Sequence, residues 1–312
     1  MSTTATISAD RADEPSGRAA GVVATLGATA FWSFGSVLGV AAGVSGVVLG
    51  FWRMWIALGF LSLIVLVTRR FPSWNDVRRA APMGVLFGFN LCAFFITLQY
   101  VSIAVALIIG ALTPVVVLPV AVVFLGERLT PMKIICAVAA VAGVVGAILA
   151  SPPSDDGGNT AVGYLWAVVS LFIWVAYLFA GKSARRQVET VRLLWASSLA
   201  GALTVSVIVL VVRADLSEMH GVGWLWVTLM ALGPGILGHG LFAWAQPRID
   251  SSVSSVLIQG EPVGAALAAW VFLDQSVTLP QMLWMAMVLV ALGVLAYREA
   301  RDDILVVDDA LA

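Results

Sequence analysis

Charge is what this sequence has least of. Only 11% of its 312 residues are Asp, Glu, Lys or Arg, against about a quarter in a soluble domain. That scarcity excludes a soluble globular fold, which must keep much of its surface wet. Cysteine is confined to Cys92 and Cys136, both inside apolar runs without CxxC spacing. A disulfide framework and a metal centre are thereby excluded, and both residues read as small buried hydrophobes. The basic residues are scattered and the net charge is only -1. No basic patch with interleaved aromatics exists, so nucleic acid is not an expected partner. The polar, mixed-charge start lacks a basic segment feeding a short hydrophobic run. Residues 1–18 are expected to form a short disordered cytoplasmic tail, not a cleaved leader. No motif for a cofactor or a bound metal is present.

What the chain has in excess is apolar side chain, at 61% of residues, with a mean hydropathy of +1.00. Glycine occurs 29 times. Inside soluble helices each such residue costs about 1 kcal/mol, whereas between membrane helices it lets backbones approach closely. An all-α integral membrane protein follows.

A spanning helix needs about 20 apolar residues, and the charge-free intervals come in that unit. Residues 19–52 hold one span and a turn, and 46–68 a second, interrupted by Arg53. Residues 80–126 contain no charge and divide near Gln99–Ser102 into two spans, or into one span and a re-entrant segment. Residues 134–152 make a fifth span. SPPSDDGGNT (151–160) is a loop by its Pro, Gly and Asp content. Further spans follow at 162–180, 192–212, 223–245, 251–273 and 280–297, and the total is ten.

The charges test that count. With the N-terminus cytoplasmic, 15 of the 17 Lys and Arg residues fall on the cytoplasmic side. Only Arg213 falls opposite, and Arg53 lies within a span. Such a bias is what the positive-inside rule requires, and miscounting by one helix would scramble it. A multi-pass protein of the cell membrane with both termini cytoplasmic is therefore expected, residues 299–312 forming a loose acidic tail.

The two halves of the chain resemble each other. PVVVLPVAVVFLGERLT (114–130) and PVGAALAAWVFLDQSVT (262–278) align at an offset of 148. Gln99 and Gln246 lie near the ends of the third span of each half, and Trp32 and Trp174 in the first. Residues 19–150 and 161–298 thus read as two five-helix repeats joined by an extracytoplasmic loop at 151–160. An odd number of crossings inverts the second repeat relative to the first. Inverted repeats allow two near-equivalent states open to opposite sides, with a site between the halves.

Polar and ionisable groups at membrane depth are costly and are the candidates for function. Arg53, in GFWRMWIALGF, either binds an anionic substrate group or pairs with a carboxylate, or else snorkels to the interface or braces the bundle. Glu261, in VLIQGEPVGAA, sits beside Pro262, which cannot donate its backbone hydrogen bond and so opens the helix. Its carboxylate is a candidate for a coupling proton or a cationic substrate group; the alternative is a structural partner for Arg53. Gln259 adds a polar group nearby. His239 follows Pro234, itself a candidate helix break or hinge, in ALGPGILGHGLFAW and is either a proton carrier or a helix–helix hydrogen bond. Asn90, in the third span, is a candidate substrate contact. Pro114 is the counterpart of Pro262, with Thr113 in place of the carboxylate. Trp32 and Trp174 are candidate cavity walls in a Trp-rich background that otherwise reads as interfacial belt and packing. Glu127 and Arg128 close an apolar run in FLGERLT and read as a helix end in headgroup water that fixes depth.

The stretches ALTPVVVLPVAVVFLGERLTPMKIICAVAAVAGVVG and SSVSSVLIQGEPVGAALAAWVFLDQSVTLPQMLWMAMVLVALGV carry a resemblance. Together with FWRMWIAL and GYLWAVVSLFIWVAYLFAGK, they resemble the EamA-type transporters of the drug/metabolite transporter superfamily over about residues 20–298. One departure is Asp274-Gln275, where the family usually has a second Gly-Glu; it alters anchoring at the outer interface. The resemblance implies a ten-helix inverted-repeat carrier at the cytoplasmic membrane, frequently an exporter of small metabolites or drugs, driven by ion or substrate exchange.

A secondary transporter of a small metabolite, such as an amino acid or related compound, is the leading expectation, exporting by alternating access. Its partners are the substrate, a coupling proton and the bilayer. A homodimer suits so small a bundle, but no residue selects one. A membrane-embedded enzyme acting on lipids needs clustered His, Asp or Glu near an interface, and the chain has only His220 and His239, far apart in environment. A channel or non-transporting scaffold is the third option, marked by ungated conductance or by no flux at all.

Overall fold

A computed structural model of the 312-residue chain describes residues 17–97, 100–101, 103–150, 160–273 and 277–311. Gln99, most of the 151–160 loop, Asp274 and Gln275, and residues 1–16 of the expected N-terminal tail lie outside that set. The described residues are helical, with no strand among them.

Helix α1 spans Gly17–Ala42, α2 Gly46–Thr68 and α3 Trp74–Thr97. The next crossing is broken into α4 (Ile103–Gly110) and α5 (Thr113–Leu125), and α6 follows at Pro131–Leu149. The second half has α7 (Ala161–Arg185) and α8 (Thr190–Val212). Next come α9 (Gly223–Met230), a wide π-helical stretch (Ala231–Gly238) and α10 (His239–Ala245), which run on as one rod. A second broken crossing consists of α11 (Ser251–Leu257) and α12 (Gly260–Leu273), and α13 (Leu279–Leu311) ends the chain. Nine segments among the described residues are long and apolar enough to cross a membrane. The remaining long helix is α3, whose first turns carry Asp76, Arg78 and Arg79.

Helix ends follow capping chemistry more than hydropathy. Thr130, Thr160 and Glu189 accept from backbone N–H groups at the starts of α6, α7 and α8, satisfying donors a helix start leaves free. Gly126 takes a left-handed conformation (φ 66°) to close α5. Helices therefore outrun the apolar stretches. The expected tail beyond residue 298 is the largest case: α13 continues to Leu311. Its residue Glu299 is buried beside Arg18 and Lys133, which ties the helix down past the apolar run.

The halves interlock. α3 packs mainly on α8 and α7, α6 on α13, α2 on α8, and α1 on α12 and the α9–α10 rod. Several helix pairings between halves have a counterpart when the halves are exchanged. α3 on α7 corresponds to α1 on the α9–α10 rod, and α3 on α8 to α2 on that rod. Glycine makes the closest of these approaches. A Cβ at Gly84 would collide with the Ser197 carbonyl, and one at Gly146 with the Trp284 ring.

The connecting segments fall into two groups. At one end Arg18 and Lys133 pair with Asp250, Lys182 with Glu127, and Arg70 with Glu189. At the other, Glu218 accepts from the Ser45 N–H, Tyr100 from Thr160 and Ala150 from Thr278. These pairings all join segments that the charge count places on one side.

Candidate functional site

Two features of α2 and the α9–α10 rod create the centre of the molecule. Arg53 lies seven residues beyond the start of α2, facing inward with 8% of its surface exposed. His239 follows the π-helical stretch. The wider turn accommodates Pro234, whose ring would clash inside an ordinary α-helix. Pro234 thus does not break the helix, as expected of it, but widens it. Its carbonyl accepts from Trp32 Nε1 at 3.2 Å.

Arg53, His239 and Tyr177 form a chain. Arg53 Nη2 lies 3.5 Å from His239 Nε2, and Tyr177 Oη 2.9 Å from His239 Nδ1. A guanidinium only donates, so Nε2 accepts. With the ring neutral, Nδ1 carries the proton and donates to the Tyr177 oxygen. The Tyr177 hydroxyl hydrogen is then unspent. Aromatic rings enclose the chain. Phe87 lies 4.8 Å from the His239 ring and beneath the Arg53 guanidinium at 5.6 Å. Trp32 lies 5.0 Å from His239, and Trp174 stacks on Tyr177 at 4.9 Å. Trp32 and Trp174, the matching residues of the two halves, meet edge to face with centroids 6.1 Å apart.

Arg53, Phe87, Tyr177 and His239 border a cavity of about 30 Å³, completed by apolar side chains such as Met54 and Met83. That is room for a water or two. Its walls come from α2 and α3 of the first half and from α7, α8 and the π-helical stretch of the second.

The other expected residues are placed elsewhere. Asn90 is one turn beyond Phe87, yet its amide nitrogen donates to the carbonyl and hydroxyl of Ser170 of α7, at 2.9 and 3.1 Å. It clips α3 to α7 and does not border the cavity. Gln259 is buried and donates to the Ala111 carbonyl at 2.6 Å. Both residues sit in the helix breaks, at matching positions of the two halves. Pro114 and Pro262 each stand in the first turn of the half-helix after the break, where a missing N–H costs little. In the first half, the Thr113 hydroxyl donates to Gly110 at 2.7 Å. In the second, the Glu261 N–H donates to Ile258 at 3.0 Å. The Glu261 carbonyl accepts from Ser33 at 3.2 Å. Its carboxylate lies within electrostatic reach of Arg53, but no salt bridge joins them among the described residues.

Sequence reasoning missed Tyr177 and Phe87, since an aromatic on an apolar helix carries no signal of its own. It also misplaced Glu127. That side chain is only 6% exposed and is not a headgroup anchor. It accepts from the Ser251 and Ser252 N–H groups at 2.7 and 3.0 Å, from the Ser252 hydroxyl at 2.9 Å, and from Lys182 at 3.0 Å. It thereby caps α11 and clasps the two halves together. Burial alone would raise its pKa; the Ser252 and Ser251 amides and Lys182 outweigh that and hold it down at about 2. The reason it was misplaced is that its partners lie 55 to 125 residues away.

Comparison with known proteins agrees with this architecture. A family model described as the EamA-like transporter family matches residues 19–149 and again 161–297. No curated protein matches the sequence. A solved structure titled only "Crystal structure of protein" aligns with a TM-score of 0.77 at 21% identity, covering 91% of this chain and 99% of that one; this likeness concerns the fold. With two family matches spanning nearly all of its helices, the chain belongs to the EamA-like transporter family, within the drug/metabolite transporter superfamily.

Proposed function

We propose that this protein is a secondary transporter that moves a small metabolite across the cell membrane by alternating access, with the Arg53–His239–Tyr177 cavity as its substrate site. The observation that carries this reading is a buried cation that makes no salt bridge among the described residues, bordering a cavity built by both halves. Ionisable groups at that depth line pathways, and a site between repeats is what alternating access uses. Amino acids and related compounds are the first class to test, and export is the proposed direction. The ten spans, with α3 among them, take both termini to the cytoplasm. The charge bias and the sorting of connecting segments into two groups support that topology. The exchange symmetry of helix pairings supports two inverted repeats. In this scheme the Glu127 clasp closes the cytoplasmic end and must separate when the cavity opens there.

Glu261 is the proposed carrier of a coupling proton, since it is the carboxylate within electrostatic reach of Arg53. The test is flux into proteoliposomes, screened over amino acids and related metabolites with an imposed pH gradient. Accumulation that collapses with the gradient supports the scheme. Folded protein giving no flux of any class would falsify it, and ungated conductance would indicate a channel. A second reading, that Glu261 serves only to neutralise Arg53, predicts that both single neutralisations are damaging and that the double variant recovers in part.

A further inference from the structure

The cavity's hydrogen-bonding groups are unbalanced. Arg53 has five N–H groups and no acceptor. Among the described residues it hydrogen-bonds to His239 and makes no salt bridge. Once Nε2 accepts from Arg53, His239 has no lone pair left. Tyr177 is 2% exposed, and its oxygen already accepts from His239, so its O–H points its donor capacity away from the ring. The Ser197 hydroxyl at the cavity edge spends its proton on the Leu194 carbonyl. The polar corner therefore offers a positive charge and unspent donors. Ser198 also borders the cavity, and Met54, Ala57, Met83 and Phe87 make the apolar part of its wall.

Resting on the transport reading of this cavity, we infer that the site, once the alternating-access cycle opens it beyond the about 30 Å³ of this closed arrangement, recognises a small organic anion, a carboxylate on an apolar body, with Arg53 and the Tyr177 hydroxyl holding its oxygens. A carboxylate supplies the acceptor lone pairs that Arg53 and Tyr177 lack, in the geometry a guanidinium pairs with best. A neutral amide supplies one acceptor oxygen and no charge. An ammonium brings donors to donors and a second positive charge. The Phe87 ring under the guanidinium, a cation–π contact, keeps Arg53 in the site in the absence of a ligand.

The test uses the purified full-length protein and a matched set: 4-methylpentanoate, 4-methylpentanamide and isopentylamine. Titration calorimetry is expected to show saturable binding of the carboxylate at least about 10-fold tighter than either other compound. Arg53→Gln is expected to weaken carboxylate binding about 10- to 100-fold, the range for hydrogen bonds to a charged group. Tyr177→Phe, which leaves the charge in place, is expected to weaken it about 5- to 10-fold. Equal binding of the amide or amine, no binding of the carboxylate, or carboxylate binding unaffected by both substitutions overturns the inference. Proteoliposome flux separates this from the transport reading. Carboxylate binding without flux of any compound leaves the anion site standing and removes transport. Flux of neutral or cationic compounds alone does the reverse.

Discussion

The clasp at the basic end and the cavity at the centre hold the same kinds of groups in opposite states. At the clasp, three cations each have an acid. Lys182 meets Glu127, Lys133 meets Asp250 and Glu299, and Arg18 meets the same two acids. Glu127 also receives three hydrogen bonds from the start of α11. At the cavity, Arg53 has a histidine and an aromatic face. Burying a charge is tolerable when pairing and hydrogen bonds replace water. The clasp meets that condition from within the chain. At the cavity no salt bridge meets it among the described residues, and the ligand proposed above is what supplies the partner.

Arg53→Gln tests that contrast most severely. Transport is expected to fall at least about 100-fold, while thermal unfolding in detergent stays unchanged or rises, because an under-paired buried charge has been removed. A parallel loss of stability and flux would mean that Arg53 braces the bundle. Glu261→Gln comes next. Gradient-driven uptake is expected to stop while substrate exchange continues, and unchanged gradient-driven uptake removes Glu261 from coupling.

The third prediction concerns Glu127, whose substitution by Gln is expected to cost about 3 kcal/mol of stability. Its folded pKa of about 2 lies below the 4.5 of an unperturbed glutamate. The stabilisation is therefore complete above about pH 4.5 and lost as pH falls from there toward 2. The gap in unfolding temperature between wild type and Glu127→Gln should be constant near neutrality and close in that acid window. A gap independent of pH across it would show that the carboxylate charge contributes nothing. Asn90→Ala should have the smallest effect, about 1 kcal/mol from the lost clip to Ser170, with transport rates little changed. A large loss of flux without a loss of stability would return Asn90 to the substrate path.

The two helix breaks show how far the sequence could be read. Pro114 and Pro262 marked equivalent places in the two halves, and each stands in the first turn after a break, where its missing N–H costs little. The substitution of Thr113 for a carboxylate also showed that the halves differ in chemistry. What could not be read was that the breaks touch, with Gln259 capping the Ala111 carbonyl. That contact depends on two helices crossing, and neither segment encodes the crossing alone. Arg53 and His239 were each recognisable as polar groups in apolar runs. Their adjacency to Tyr177, and Asn90's absence from their cavity, came from which face each helix turns inward. The nearly uniform hydrophobicity of these helices hides that orientation.

By itself the sequence determined the solvent, the scale and the division of this protein: apolar runs of bilayer length, positive charge gathered in alternate connections, and two related halves. Those properties add up residue by residue along a chain and need no knowledge of neighbours. Only the tertiary structure decided which charges are satisfied. Glu127 became a buried clasp and Arg53 an open cation through partners far away in sequence, and a charge's energy depends on what replaces its water.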